Sequence, residues 1–216
     1  MSTSSDTAAY IAGVFEHPTR EAPEKSIAQL HAEVAAGALN DAGLASDDVD
    51  GYLTAGGNYQ VGRYPPPAMA DYLGLDVSYF DSTDDGGSAY VNHVGEAASA
   101  IADGKCDVAL VTLAGRMRTD ERTHPEHEET IMQENFESIY GAETLPQYAL
   151  AARRHMHEYG TTSEQLAEIR VAASQHAQHN EHALYQDPVT VEEVVDSRVV
   201  SDPLHLLDCC VISDGA

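Results

Sequence analysis

Three short residues, Gly86, Gly87 and Ser88, stand where a predicted strand meets a predicted helix, and they are the residues best placed to carry chemistry. Residues 77–80 are apolar and predict the strand, and from Ser88 onward apolar residues recur at steps of three and four. A glycine turn of this kind leaves backbone N–H groups free at the positive end of a helix, which suits an anion, an oxyanion or an activated nucleophile. The alternative is a tight loop in which Ser88 only caps the helix.

The helix after this turn is apolar on most of its surface. The face opposite the main apolar stripe carries little charge and several alanines. This pattern predicts a thin, buried helix packed closely on its neighbours. Asp103 and Gly104 end the helix, and the apolar residues 107–113 predict a buried strand after it. The apolar positions of the helix are Val91, Val94, Ala97, Ala98 and Ile101.

The first half of the chain alternates between strand and helix patterns. Strands are predicted at residues 8–15, 51–55, 77–80 and 107–113, and helices from Ser26 to Gly43, at residues 68–73 and after Ser88. This alternation predicts an α/β fold, a parallel sheet layer covered by helices. We assign residues 1–115 to this core.

The character of the sequence changes at Arg116. Residues 116–135 read as a charged loop, and helices are predicted at residues 145–159, after Thr162 or Ser163, and at residues 190–195. We therefore assign residues 116–200 to an inserted α-rich domain. Residues 201–216 turn apolar and extended again and are predicted to open a second α/β half, the rest of which is missing from this sequence.

The charge of the chain indicates the salt conditions in which the protein works and the partners that it does not bind. There are 36 acidic residues against 11 lysines and arginines, a net charge of −25, together with 43% apolar residues. Periodic apolar residues indicate a folded protein, and an acid excess on a folded chain fits a cytoplasm at multimolar salt, as in an extreme halophile. Nucleic acid is excluded as a partner because no basic patch can neutralise phosphates.

Cysteine usage and hydropathy point to the cell interior. Three cysteines, of which Cys209 and Cys210 are adjacent, form no disulfide framework and fit a reducing compartment. No apolar run approaches the ~18 residues of a membrane helix, and the first residues do not read as a signal peptide. We expect a soluble cytoplasmic protein without a membrane partner.

Four motifs in the second half of the chain resemble the thiolase superfamily, and the similarity runs from about Ile11 to the last residue. The closest branch is that of sterol-carrier-protein thiolases and archaeal acetyl-CoA acetyltransferases. The most specific strings are the last two in the chain. The motifs are Tyr159-Gly-Thr-Thr-Ser-Glu-Gln-Leu-Ala-Glu-Ile, Asp187-Pro-Val-Thr-Val-Glu-Glu-Val, Ser201-Asp-Pro-Leu-His-Leu-Leu-Asp-Cys-Cys and Ser213-Asp-Gly-Ala.

The resemblance implies two similar βαβ halves with an α-rich domain inserted in the first. It implies an acyltransferase that forms or cleaves a C–C bond next to a coenzyme A thioester, with the thioester as substrate and no permanently bound cofactor. It also implies a homo-oligomer, a dimer or tetramer, and a partner subunit with an OB-fold and a zinc ribbon. The alternatives are a non-catalytic acyl-CoA or lipid-carrier subunit, a retro-aldol lyase subunit acting on CoA thioesters, and a plain structural domain.

The resemblance places the family's nucleophilic cysteine near Gly87, where this sequence has Gly87-Ser88 and no cysteine. Ser88 could accept an acyl group if a histidine base activated it, or the turn could bind a thioester without acylation. The family's second-half motifs, including the Gly-His loop that would supply the base, are not found. Cys106 lies beyond the helix, and Cys209 and Cys210 are expected to pack rather than react.

Other residue groups are weaker candidates. Arg116 and Arg118 follow a predicted strand end and could bind CoA phosphates, with Gly86 as part of the same substrate site. Three tyrosines could line an acyl or pantetheine path, with loop packing as the alternative. The histidines are wrongly spaced for a helical metal site, the pair Asp84 and Asp85 is more typical of capping, and no metal is predicted. The tyrosines are Tyr59, Tyr64 and Tyr72; the histidines are His124, His127, His155, His157, His176, His179 and His182.

Overall fold

The computed structural model describes residues 9–55, 65–120, 136, 140 and 144–216. By its internal contacts the chain divides into two compact units, one made of Met1–Glu121 with Ser213–Ala216 and one made of Arg122–Ile212. The sequence placed the boundaries after residues 115 and 200. The structure carries the first unit to residue 121 and returns the last four residues to it.

The first unit contains a sheet of three parallel strands. These are β1 (Gly51–Leu53), β2 (Tyr79–Asp81) and β3 (Ala109–Val111), in the order β2-β1-β3. Tyr52 lies opposite Phe80 on one side and opposite Leu110 on the other. The α/β fold and the parallel pairing predicted from the sequence are confirmed.

Three helices accompany this sheet: α1 (Ile27–Ala42), α2 (Pro65–Leu73) and α3 (Ala89–Ala102). The Ser26 side chain caps α1 in a capping box with Gln29, and Gly43 ends the helix with φ 70°, a left-handed conformation that favours glycine. The main apolar core lies where α1 and α2 meet β1 and β3, and it contains Ala35, Val49, Tyr52, Met69, Ala70 and Leu110.

The strand predicted at residues 8–15 is absent from the described residues 9–15, and this prediction is wrong. The segment packs instead against α1. A Cβ built on Gly13 would lie 2.4 Å from the carbonyl oxygen of Ala38, and one built on Gly37 would lie 2.3 Å from Cγ of Phe15. The residues have an apolar strand composition, but a strand needs a neighbouring strand for its backbone, and the described residues provide none here.

Helix α3 is only partly buried, whereas the sequence predicted a buried helix packed closely on its neighbours. Val91 is 75% exposed and Val94 is 45% exposed. The buried face carries Ala89, His93, Ala97 and Ala100 instead. Because apolar and small residues occur on every side of the helix, the sequence pattern could not show which face packs on the sheet.

The end of the chain closes onto the first unit. Strand β4 (Gly115–Arg116) pairs antiparallel with β7 (Asp214–Gly215), and Gly115 lies opposite Gly215. The backbone N–H of His17 also donates to the carbonyl oxygen of Ala216, at 2.9 Å. The last residues therefore bridge two earlier parts of the unit.

The second unit is rich in helix, as predicted. It contains α4 (Thr144–Tyr159), α5 (Ser163–Ala177) and α6 (Val191–Asp196), followed by the antiparallel strands β5 (Val199–Ser201) and β6 (Leu204–His205). Thr162 and Thr190 cap α5 and α6 in capping boxes. None of the described helices is long and apolar enough to cross a membrane.

Candidate functional site

The glycine turn lies at the carboxyl edge of the parallel sheet. Strand β2 ends at Asp81, and residues Gly86–Ser88 form a single 3-10 turn that leads directly into α3. Gly86 has φ 82°, which a residue with a side chain adopts only under strain. In open α/β sheets, ligands bind outside the carboxyl ends of the strands, so this edge is the expected position for a site.

Ser88 is exposed and makes no capping hydrogen bond to α3. The alternative in which this serine only caps the helix is therefore not what the structure shows. Its hydroxyl also has no histidine partner among the hydrogen bonds of the described residues, and the covalent use of Ser88 would require one.

A buried histidine fixes the loop before the turn. His93 is fully buried, and its Nε2 lies 2.9 Å from the carbonyl oxygen of Thr83. A carbonyl only accepts, so Nε2 is the donor. The Thr83 hydroxyl donates in turn to Oε1 of Glu96 at 2.7 Å. Two side chains of α3 thus tie the loop to the helix.

The second ring nitrogen of His93 and the second carboxylate oxygen of Glu96 are unusual for buried polar atoms. Within the described part of the chain, Nδ1 of His93 and Oε2 of Glu96 are buried and have no hydrogen-bond partner. Neither residue was predicted from the sequence. The available signal was the spacing of His93 with Ala97 and Ala100, which places it on the small-residue face of α3.

The two acids beside the turn are held by local hydrogen bonds. Asp84 Oδ1 accepts from the backbone N–H of Gly86 at 3.3 Å, and Asp85 accepts from the side-chain amide of Asn92. Among the residues that the structure describes, no group of three or more His, Cys, Asp or Glu side chains could hold a metal ion.

A buried polar network lies behind the carboxyl edge. The Thr112 hydroxyl is 2.7 Å from Nδ1 of His31 and 2.7 Å from the phenol oxygen of Tyr52. Burial lowers the pKa of His31 to about 4. Burial also raises the pKa of Tyr52 to about 12, although the hydrogen bonds with Thr112 and Thr54 act in the opposite direction. Both side chains are uncharged at neutral pH, and this network was also missed from the sequence.

The two arginines proposed for CoA phosphates are both paired with acids. Arg116, largely buried, lies 3.4 Å from Oδ1 of Asp120, and Arg118 lies 3.4 Å from Oε2 of Glu21. The described residues show no hydrogen bond or ion pair that joins either arginine to the glycine turn. Tyr72 is exposed on α2, whereas Tyr59 and Tyr64 lie outside the described residues.

Comparison with known proteins shows which proteins this chain is similar to. The chain is 34% identical over 218 residues to a steroid side-chain-cleaving aldolase of Thermomonospora curvata, covering 96% of this chain and 55% of the relative. It is 33% identical over 215 residues to an acetyl-CoA acetyltransferase of Methanothermobacter thermautotrophicus, covering 95% of this chain and 54% of the relative. No protein-family model matches.

Solved structures agree. The Ltp2-ChsH2(DUF35) aldolase matches with a TM-score of 0.79 at 33% identity, over 96% of this chain and 53% of the solved one. The chain belongs to the thiolase superfamily. A thiolase-like protein of the SCP2 type from Mycobacterium smegmatis shares the fold, with a TM-score of 0.71 at 20% identity over 95% of this chain and 43% of that one. This thiolase-superfamily chain spans about half the length of the curated relatives it matches.

The Ser-Asp-Gly-Ala motif of this thiolase-superfamily chain has a structural role. Buried Asp214 accepts hydrogen bonds from the backbone N–H groups of Ala22 (2.7 Å), Arg118 (2.8 Å) and Thr119 (3.0 Å), and from the Thr119 hydroxyl. Burial alone would raise the pKa of this carboxyl, but these hydrogen bonds outweigh it and hold the pKa below its ordinary value. One carboxylate thus joins three segments of the first unit.

Neither Cys106 nor Cys209 of this thiolase-superfamily chain shows signs of activation. Cys106 precedes β3 and touches Gly51 at the start of β1, so it lies at the amino edge of the sheet, away from the turn. Burial, and then Asp50 and Asp107, raise its pKa. Burial, Asp208 and Cys210 likewise raise the pKa of the Cys209 thiol, which is the opposite of what a nucleophilic cysteine needs.

Histidines of the second unit make local contacts. His155 lies 2.9 Å from the Thr161 hydroxyl and stacks at a tilt on Tyr159, and His182 lies near Glu181. The pair His124 and His127 lies outside the described residues.

Proposed function

We propose that this chain is the thioester-binding unit of a carbon–carbon lyase that acts on CoA thioesters by retro-aldol chemistry. The observation that carries the proposal is the turn itself: Gly87 and Ser88 occupy the position at which the resemblance expects a cysteine, and the Ser88 hydroxyl has no base among the described residues. Two curated relatives, the aldolase of Thermomonospora curvata and a 17-hydroxy-3-oxo-4-pregnene-20-carboxyl-CoA lyase of Mycobacterium tuberculosis, support it at 34% identity each.

In the proposed reaction the substrate is a 3-hydroxyacyl-CoA. A base takes the proton of the 3-hydroxyl, the bond between carbons 2 and 3 breaks, and carbon 3 becomes the carbonyl of the released ketone or aldehyde. The electron pair passes to the thioester as an enolate, and carbon 2 then takes a proton to give the shorter acyl-CoA. The proton count balances without an oxidant or a covalent enzyme intermediate.

The glycine turn serves this step as the oxyanion site. The thioester oxygen gains negative charge as the enolate forms, and N–H groups at the N-terminus of α3 stabilise it. His93 and Glu96 contribute by fixing the loop before the turn, so the N–H groups are oriented before the substrate binds. Gly87 contributes by leaving open space, since a Cβ at this position meets no atom within 4 Å in the part of the chain that the structure describes.

The second candidate is a thiolase-type acyltransferase with Ser88 as nucleophile. It is favoured by the acetyl-CoA acetyltransferase relative at 33% identity and by the exposure of the Ser88 side chain at a helix N-terminus. A hydroxyl is far less acidic than a thiol, so this mechanism requires a histidine base. A non-catalytic acyl-CoA or lipid-carrier subunit remains the third reading of the same site.

The proposal extends to the setting of the protein. Residues 1–115 stay the predicted core, 116–200 the predicted inserted domain and 201–216 the predicted start of a second half, although residues 213–216 pack with the first unit. CoA phosphates bind Arg116 and Arg118, of which Arg118 is the more accessible. The protein works in a cytoplasm at high salt as an oligomer or with a partner subunit. The names of two relatives, the Ltp2-ChsH2(DUF35) aldolase and the benzoylsuccinyl-CoA thiolase subunit BbsB, support an assembly.

The test is a product assay at multimolar salt. The chain is incubated with a 3-hydroxyacyl-CoA, and in parallel with acetoacetyl-CoA and free CoA, and the CoA products are separated by chromatography. Release of a shorter acyl-CoA with a ketone or aldehyde from the first substrate supports the lyase. Acetyl-CoA from the second mixture alone, lost in Ser88→Ala, would establish the acyltransferase instead. No turnover together with tight CoA binding would favour the carrier.

A further inference from the structure

A pocket of about 660 Å³ lies beside helix α5, and every residue that lines it belongs to the second unit. One wall is a single face of α5, with residues spaced by three and four. The second wall comes from the segment 204–211, and Tyr185 also lines the pocket. The volume falls within the ~300–1,000 Å³ that is usual for small-molecule sites. The wall on α5 consists of Leu166, Ile169, Arg170 and Ala173.

The wall formed by residues 204–211 is held by hydrogen bonds to the residues that follow α6. The backbone N–H of Leu206 donates to the carbonyl oxygen of Arg198 at 2.8 Å, and that of Leu207 donates to the Ser197 hydroxyl at 3.3 Å. The Ser197 hydroxyl donates in turn to the carbonyl oxygen of Val194 at 2.7 Å. These bonds fix the wall through its backbone, so the pocket is formed before a ligand binds.

Most side chains that line the pocket are apolar, and several of them are exposed to solvent. Ile169 is 70% and Tyr185 58% exposed, and Leu206 and Val211 are also exposed. The chain as a whole carries a net charge of −25, so large apolar side chains grouped at one concave place contrast with its acidic composition. Exposed apolar surface of this kind marks a binding site for an apolar group.

Arg170 is the basic residue of this pocket, and it is half-buried. Among the described residues no acid pairs with it, although acids outnumber lysines and arginines by 36 to 11 in the chain. Its neighbours three and four positions away on α5 offer no carboxylate, because they are leucine, alanine and serine. The guanidinium is therefore available to an anionic ligand. The arginines that do pair with acids are Arg20, Arg116, Arg118, Arg153 and Arg154.

Asp208, which also lines the pocket, limits the charge of that ligand. Its largely buried Oδ2 accepts the backbone N–H of His205 at 2.7 Å and lies 3.1 Å from Nδ1 of the same residue. One arginine near a fixed carboxylate balances one negative charge, whereas a phosphate dianion would leave negative charge in excess. The planar N–H fork of arginine also matches the two oxygens of a carboxylate.

We propose that this pocket binds a free carboxylic acid with an apolar chain, such as a fatty acid. The carboxylate pairs with Arg170, and the chain lies against the apolar side chains of α5 and of the segment 204–211. The pocket uses none of Gly87, Ser88, Arg116 and Arg118. This inference is therefore independent of the proposed function.

The test is calorimetry with octanoate on the full chain in multimolar potassium chloride. Wild type should bind octanoate, and Arg170→Gln should weaken this binding at least about tenfold, because a hydrogen-bonded ion pair is lost. Arg198→Gln is the matched control, since Arg198 lies outside the pocket lining and also has no acidic partner among the described residues. It should bind octanoate within about twofold of wild type. The preference of wild type for octanoate over neutral 1-octanol should disappear in Arg170→Gln.

A second variant shows where the ligand lies and does not depend on the folding of Arg170→Gln. Ala173→Phe fills the pocket from α5 and keeps Arg170, so it should abolish octanoate binding. Amide hydrogen exchange of residues 204–211 should slow on addition of octanoate in wild type and not in Ala173→Phe.

Three results would overturn the proposal. The first is that wild type does not bind octanoate, or that binding survives in both pocket variants. The second is that octyl phosphate or octanoyl-CoA binds more tightly than octanoate and is lost in the same variants, which would make this a phosphate or CoA site. The third is that protection of residues 204–211 rises with protein concentration and not with octanoate, which would make the pocket an interface between copies.

Discussion

Nε2 of His93 lies 2.9 Å from the carbonyl oxygen of Thr83, inside a helix whose other buried residues are alanines. This hydrogen bond connects the buried face of α3 to the loop that leads into the glycine turn. Its partner bond runs from the Thr83 hydroxyl to Glu96. Two side chains of α3 therefore fix the loop that leads into the turn.

We predict that His93→Leu destabilises the protein by about 1–2 kcal/mol, because the Thr83 carbonyl loses its donor. His93→Gln keeps an N–H donor at nearly the same reach and should recover about half of this loss. Urea unfolding at constant high salt measures both. Equal destabilisation by the two variants would show that the ring fills space and that the hydrogen bond contributes nothing.

His31 should make stability depend on pH between about 4 and 6.5. The folded protein holds this ring neutral with a pKa of about 4, whereas the unfolded chain protonates it near 6.5. Below pH 6.5 the unfolded state binds more protons, so the stabilisation is complete above pH 6.5 and is lost as the pH falls toward 4. The loss is on the order of 3 kcal/mol.

The measurement for His31 is urea unfolding at several pH values in wild type and His31→Leu. The variant should show a flatter profile across this window. His157→Gln, at an exposed position of α4, is the control and should keep the wild-type profile. A wild-type profile that is already flat from pH 4.5 to 6.5 would contradict the buried neutral His31.

Asp214→Asn should cost about 2–3 kcal/mol, because an amide offers one acceptor oxygen where the carboxylate accepts through two. The lowered pKa of Asp214 adds a pH test. Its stabilisation is present above the ordinary aspartate pKa of 3.8 and is lost as the pH falls through the lower folded value. The difference between wild type and variant should shrink toward low pH. Asp76→Asn, on the surface, is the control; an equal effect there would refute the role of Asp214.

The sequence predicts those parts of the fold that local residue chemistry determines. Ser26 and Gly43 mark both ends of α1, and the apolar segments become β1, β2 and β3. The pairing of β4 with β7 could not be predicted, because two-residue strands with the whole second unit between them leave no periodic signal. Residues 9–15 have a strand composition but depend on a partner backbone, which local sequence does not encode.

Some features of the candidate site could likewise be predicted from the sequence, and others could not. The glycine turn is visible because glycine is needed where φ is positive, as at Gly86. His93 and His31 were not found, since a single histidine in an apolar helix gives the same pattern whether it is exposed or buried. Only the packing of α3 and α1 on the sheet shows that both rings are buried and which polar groups they meet.

The most direct test of the account is thioester binding by calorimetry, combined with intact mass, in wild type, Ser88→Ala and Gly87→Ala. A Cβ at Gly87 meets no atom of the described residues within 4 Å and its φ is not in the left-handed region, so Gly87→Ala should keep wild-type stability. If the thioester carbonyl lies against this turn, the added methyl should weaken butyryl-CoA binding at least about tenfold. Ser88→Ala should bind butyryl-CoA within about twofold of wild type, and no acyl adduct should form.

An adduct on the wild type that disappears in Ser88→Ala, or unchanged binding by Gly87→Ala, would contradict a non-covalent thioester site at the glycine turn.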